Sequence, residues 1–93
     1  MNRKAKGTRN EYKSRRLLEA AGYRVTRAAA SLGQFDLIGV GATDIVLCQV
    51  KSNTWPGAIE IDAIKNFPAP SNCKKVIHRW DDYKALPMVK EVL

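Results

Sequence analysis

The run Asp44 to Ser52 (DIVLCQVKS) constrains this chain more than any other segment. Read as a strand, its alternation sets Ile45, Leu47, Gln49 and Lys51 on one face and Val46, Cys48 and Val50 on the other. Both sets are largely apolar, so both faces must be covered. A strand covered on two sides belongs in the middle of a layered α/β domain. Two polar residues, Gln49 and Lys51, share one of those faces. An inward-facing lysine on a central strand is expensive unless it is paired or used.

The other elements arrange themselves around this strand. Residues 9–21 carry Ser14, Leu17, Leu18 and Ala21 on one side at helical spacing and stop at Gly22, which predicts a first helix. Thr8 can serve as its N-cap, with Glu11 completing a capping box three residues on. Glu11 also lies about 70° from the centre of the apolar stripe at 100° per residue, within reach of the edge of the sheet that the helix covers. Tyr23 to Arg27 reads as a first strand, Ala28 to Gln34 as a loop, and Phe35 to Val40 as a second strand. Gly41-Ala42 turns the second strand into the third as a hairpin. Trp55-Pro56-Gly57 breaks the third strand, Ala58 to Asn66 reads as a short helix, and Pro68 and Pro70 end it. Lys74 to Trp80 forms a fourth strand across a parallel connection, and Met88 to Val92 a fifth. The expected order is α-β-β-β-α-β-β, a single domain over 1–93 with a mixed central sheet flanked by helices. Residues 1–7 read as a flexible basic segment.

Charge narrows the class of partner. The chain has 93 residues and a net charge of +7. Residues 1–27 hold nine Lys or Arg against Glu11 and Glu19, while the remainder balances seven basic against seven acidic groups. One end therefore carries the whole excess, a field that attracts a polyanion such as nucleic acid. No run approaches the ~18 apolar residues of a membrane span. The opening Met-Asn-Arg-Lys-Ala-Lys lacks a secretory apolar region. Cys48 and Cys73 do not make a disulfide framework. The expectation is a reduced, cytoplasmic protein with no membrane partner.

The hairpin gathers an acid, an amide and a lysine. Asp36 lies early in the second strand, and Gln49 and Lys51 share a face of the third. Mg²⁺ prefers oxygen ligands, which the Asp36 carboxylate, the Gln49 side-chain carbonyl and the Val50 backbone carbonyl can supply. Lys51 can orient an attacking water or stabilise charge growing on a phosphate. Arg3, Lys4, Lys6, Arg9, Lys13, Arg15, Arg16 and Arg27 are candidate phosphate contacts.

Phe35-Asp36 followed by Gln49-Val50-Lys51 resembles the PD-(D/E)xK nuclease superfamily, in which an Asp on one hairpin strand precedes Glu/Asp/Gln-x-Lys on the next. The likeness is closest to archaeal-type Holliday junction resolvases, through Gly7 to Glu11 on the first helix, Gly22 to Val25, the serine-containing loop at Ser31, and Lys51-Ser52. It spans residues 7–52 well and the rest only in element order. The resemblance implies a restriction-endonuclease-like core and a Mg²⁺-dependent endodeoxyribonuclease, with Mn²⁺ substituting. Its implied site is Glu11, Asp36, Gln49 and Lys51, the metal held by Asp36, Gln49, Val50 and Glu11. It also implies a homodimer acting on branched or four-way junction DNA, with Ser31 and Ser52 at the nucleic-acid surface. Phe35 replaces the usual Pro, and Gln49 replaces the common Glu, which removes a negative charge from the metal site. The alternatives are another phage- or restriction-like endonuclease, an RNA-processing endonuclease, or a non-catalytic DNA-binding protein on the same fold.

Other residues have structural explanations. His78 reads as a hydrogen-bonding strand residue, Asp44 as part of a turn, and Asp81 and Asp82 as turn caps answering nearby lysines. Cys48, Cys73 and His78 lack structural zinc spacing. Tyr12, Trp55 and Phe67 are candidates for an exposed apolar surface between subunits, with a surface facing DNA or a capping core role equally open for Trp55.

Overall fold

The structure, a computed structural model, describes residues 3–29 and 32–93, with Arg3 by its backbone alone. The elements are α1 (Arg3–Ala20), β1 (Arg24–Arg27), β2 (Leu37–Val40), β3 (Ile45–Ser52), α2 (Ala58–Asn66), β4 (Cys73–Trp80) and β5 (Met88–Glu91). They form a five-stranded sheet in the order β1-β2-β3-β4-β5, antiparallel except for the β3–β4 pair. This is the expected α/β fold, with β3 at its centre and α2 as the parallel crossover.

The two faces of β3 divide the core. On one side Val46 and Cys48 pack with Leu18 of α1, Val25, Leu37 and Val76. On the other, Leu47 packs with Ile64 of α2, Phe35, Ile77 and Val92. The Cys48 thiol is completely buried, and that burial pushes its pKa up to about 12, so it behaves as a small hydrophobe. Close packing extends to the backbone at Gly39 of β2. A Cβ there would sit 2.7 Å from Val46 Cγ1 and 3.1 Å from Tyr23 Cβ, so only glycine fits.

Three sequence expectations change. The first helix begins at Arg3, which draws the basic residues ahead of Thr8 into its first turns. Lys, Ala and Arg are good helix formers, and Lys6 is tied to Asp82 at 3.0 Å. Thr8 is therefore inside the helix, and a capping box with Glu11 is excluded. Phe67 is not an exposed surface, and of the readings open for Trp55 the core role is the one realised. Both pack against the α2-side core, Phe67 meeting the Phe35 ring edge-on at 5.3 Å, whereas Tyr12 is 58% exposed. The regular part of β2 starts at Leu37, because Asp36 diverts the ladder in the way described below. Ser31 lies outside the described residues.

The end of α1 follows the expected rule. Gly22 adopts φ +102°, its N–H donates to Glu19 O at 3.0 Å, and Tyr23 N–H reaches Leu18 O at 3.1 Å, a Schellman closure. Farther back, Ser14 occupies the apolar stripe of α1 as a fully buried hydroxyl. Trp80 Nε1–H donates to Ser14 Oγ at 2.7 Å, and His78 Nδ1 lies 2.9 Å from the same oxygen. The tryptophan takes an acceptor position on Ser14, which leaves the hydroxyl proton for a neutral imidazole. Burial pushes the His78 pKa down, in keeping with that neutral ring.

Replacing Ser14 by Ala should cost about 1–3 kcal/mol, since it strands two buried groups, and urea melts will measure it. The folded His78 pKa is depressed, so the unfolded chain takes up a proton first as pH falls. Wild-type stability should therefore decline as pH drops below about 6.5. Thermal melts across that range check the sign.

Candidate active site

At the end of the hairpin, β2 and β3 part company, and Asp36 manages the separation. Its main-chain N–H still donates to Cys48 O at 2.9 Å, but its own carbonyl turns away to accept the Ala28 N–H at 2.9 Å. The next main-chain donor of β3, Val50 N–H, is taken instead by Asp36 Oδ2 at 2.7 Å. A side chain thus replaces the missing strand. The N–H and C=O of one strand residue face the same neighbour, so the Val50 carbonyl opens toward the gap that holds this carboxylate.

Leu37 stands opposite Cys48, and Asp36 N–H returns to the same Cys48 carbonyl, so Asp36 is an extra, bulged residue at the end of the ladder, spanning Cys48 O and Val50 N–H on either side of Gln49. Gln49 is buried at 6% exposure, and its Oε1 is a buried oxygen with no hydrogen-bond partner. An unmet acceptor of this kind costs about 1–3 kcal/mol. Lys51 lies two residues on along β3, its side chain 27% exposed, and the Glu60 carboxylate of α2 approaches it at 3.9 Å. From the other side of the sheet, α1 brings Glu11 to the β1–β2 edge. There Glu11 Oε1 accepts from Arg27 Nε at 3.1 Å. Glu11, Tyr12, Arg15 and Arg27 line a cleft between that helix and the sheet.

These groups act on one another through Asp36. Its pKa is raised above the ordinary aspartate value, first by burial and then by the Glu11 charge. The Val50 N–H, Lys51 and Arg27 oppose the rise. The Glu11 and Lys51 charges are therefore felt at Asp36 at one end of the sheet, and Gln49 directly precedes the Val50 whose N–H Asp36 holds. Among the described residues no three His, Cys, Asp or Glu side chains form a group able to hold a metal ion. The oxygens that the sequence reading offers a cation are the Asp36 and Glu11 carboxylates, the Gln49 amide oxygen, which has no partner, and the Val50 carbonyl. Such a set suits a hard divalent cation, and the unpartnered Gln49 Oε1 is the feature that a cation would relieve.

The basic residues of α1 are divided between its flanks. Arg15 pairs with Glu19 at 3.3 Å, and Arg16 reaches the Tyr12 hydroxyl at 3.3 Å. Lys6, Arg9 and Lys13 recur at three- and four-residue spacing on the opposite flank from Glu11 and line a polar groove beside the β4–β5 turn. Lys4 is exposed. Ser52 accepts a 2.7 Å bond from the buried Asn10 amide, which fastens α1 to the end of β3. Asn10 is a positioning residue that the sequence does not announce. The one available signal is its place at helical spacing from Ser14, and an amide there reads as a break in the apolar stripe. Asp44 is structural as expected, accepting the Tyr23 hydroxyl at 2.8 Å. Asp81 and Asp82 answer Arg79 and Lys6.

The fold is shared with Hjc, a Holliday junction resolvase from the archaeal hyperthermophile Archaeoglobus fulgidus. The likeness has a TM-score of 0.74 at 20% sequence identity and covers 94% of this chain and 73% of that one. No family model matches the chain, and no curated protein does. No described helix is long and apolar enough to cross a membrane.

Because Glu11 raises the Asp36 pKa, Glu11→Gln should lower it, as read by carbon-detected NMR titration of the Asp36 carboxyl. An unchanged midpoint would separate the two groups. A raised carboxyl pKa also means that ionised Asp36 strains the fold at neutral pH. Asp36→Asn keeps an acceptor for Val50 N–H, so it should raise the melting temperature at pH 7.

Proposed function

We propose that this protein is a divalent-metal-dependent endonuclease that hydrolyses phosphodiester bonds in DNA, with four-way junctions as its preferred substrate. The observation that carries the reading is the buried, unpartnered Gln49 Oε1 on the strand whose next N–H, that of Val50, is held by the Asp36 carboxylate, two residues before Lys51. The likeness to a resolvase fold and the basic flank of α1 support it.

In this reading Asp36, Gln49, the Val50 carbonyl and Glu11 hold Mg²⁺, with Mn²⁺ able to substitute. The ion supplies Lewis acidity at the scissile phosphate when bound. Asp36 presents its carboxylate from a fixed position, because one oxygen is already anchored on Val50 N–H. The Lys51 ammonium stabilises the negative charge that grows on the phosphate and holds the attacking water in line. Arg27, 64% exposed in its side chain, can leave Glu11 for a neighbouring phosphate. Cutting a junction symmetrically requires two sites, which a twofold homodimer supplies. Exposed Met88 and Val89 on the edge strand β5, with Leu86 and Leu93 beside it, offer apolar surface for that pairing.

A second reading is a DNA-binding protein without chemistry. It is favoured by the lack of a three-acid group among the described residues. Cleavage against Mg²⁺ concentration, on four-way junction, flap, duplex and structured RNA, distinguishes the two. The nuclease reading expects cleavage that depends on metal and is greatest on the junction.

Gln49→Glu is the sharpest variant. As a metal ligand, the new carboxylate should lower the Mg²⁺ concentration needed for half-maximal rate. As a mere core residue it should only lower the melting temperature. Lys51→Ala should stop cleavage without weakening Mg²⁺ binding.

A further inference from the structure

At the opposite flank of α1 from Glu11, the β4–β5 turn carries an aromatic ring that the fold does not use. Tyr83 is fully exposed (relative accessibility 105%) and adopts φ +64°. A bulky residue in the left-handed region strains the backbone, and glycine or asparagine would sit there more easily. The ring gains no burial in return. Residues in such conformations persist where the surroundings hold them, and these do. Asp82 N–H donates to Asn53 Oδ1 at 2.9 Å, Asn53 N–H donates to Trp80 O at 3.0 Å, and Lys6 grips the Asp82 carboxylate at 3.0 Å. Asn53 directly follows the strand that bears Gln49 and Lys51, so the turn is clamped to the same end of the sheet.

The surroundings of the ring define what it could meet. Tyr83 borders the groove lined by Lys6, Arg9 and Lys13. The nearby acids are already neutralised, Asp82 by Lys6 and Asp81 by Arg79. Lys13 lies over the Trp80 ring at 5.1 Å, and neither it nor Arg9 has an acidic partner among the described residues. An exposed aromatic face beside uncompensated cations matches one chemistry, an unstacked nucleobase flanked by backbone phosphates. We infer that Tyr83 is a stacking platform for an unpaired base of branched DNA, with Arg9 and Lys13 holding the adjoining phosphates. This deepens the DNA reading by assigning the recognition of a branch to the β4–β5 turn, apart from the metal-binding residues. Stacking tolerates any base, so the device would sense an open structure without reading sequence.

The test is binding in EDTA, where no cleavage occurs, to a plain duplex and to the same duplex bearing a single-stranded arm with a fluorescent purine analogue. Wild type should bind the armed DNA more tightly and quench the analogue. Tyr83→Ala should lose roughly ten- to a hundredfold on the armed DNA, lose the quenching, and bind the duplex as wild type does. Tyr83→Phe should behave as wild type, since stacking needs only the ring. Tyr83→Gly should lose the same selectivity while melting at or above the wild-type temperature, which excludes misfolding as the cause. Equal affinities of wild type and Tyr83→Ala for armed DNA would overturn the inference. So would an equal loss on both DNAs, or a wild type that binds both without quenching. Because cleavage is not read, failure of the nuclease reading would leave a positive result standing.

Discussion

The 2.7 Å bond from Val50 N–H to the Asp36 carboxylate is the contact on which the rest of the site depends. It lets β2 leave β3 without orphaning the part-buried Val50 N–H, and the gap so made adjoins the Val50 main chain. It also fixes one oxygen of the acid, so its position is set by the sheet and not by a rotamer. The sheet in turn is fixed by burial on both faces of β3, with α1 closing one side and α2 the other. Asn10 on Ser52 and the Ser14–Trp80–His78 cluster keep α1 in register along that sheet. Glu11, one residue after Asn10, is thereby held at the sheet edge.

The arrangement sacrifices stability at the site. Asp36 is partly desolvated beside a second carboxylate, and Gln49 is buried with an unmet oxygen. Each would be better replaced if folding alone were at stake. Strain gathered at adjacent positions, while the surrounding core is well satisfied, is the pattern expected of residues kept for a ligand.

Much of this was legible in the sequence because β3 is so restrictive. Its two apolar faces require a layered sheet, and the bounds of α2, Ala58–Asn66, follow from its apolar face and the prolines beyond it. Gly22 marked the end of α1 correctly. The start of α1 was hidden, because residues 3–8 have no apolar periodicity and Thr8 imitates a cap. Those turns rest on the helix propensity of Lys, Ala and Arg and carry a tertiary contact, Lys6 on Asp82, which no local pattern displays. Phe67 was misplaced and Trp55 left open for a related reason, since an aromatic beside a loop reads alike whether it faces solvent or folds back onto the core. Asn10 and Ser14 looked like interruptions of a stripe until their partners, more than forty residues away, were in view. At the site, Asp36, Gln49 and Lys51 were visible from alternation and hairpin spacing. The diversion of the β2 ladder onto a side chain was not.

The central claim is that a divalent cation binds beside the Asp36 carboxylate where it meets the Gln49–Val50 segment of β3. Paramagnetic broadening of amide NMR signals by substoichiometric Mn²⁺ tests it without reference to activity. The account predicts early, selective loss of the Gln49, Val50 and Lys51 amides in the wild-type protein, with the effect abolished in Asp36→Asn. Broadening confined to exposed acids such as Asp62 and Glu91, with the Val50 amide undisturbed, would contradict it.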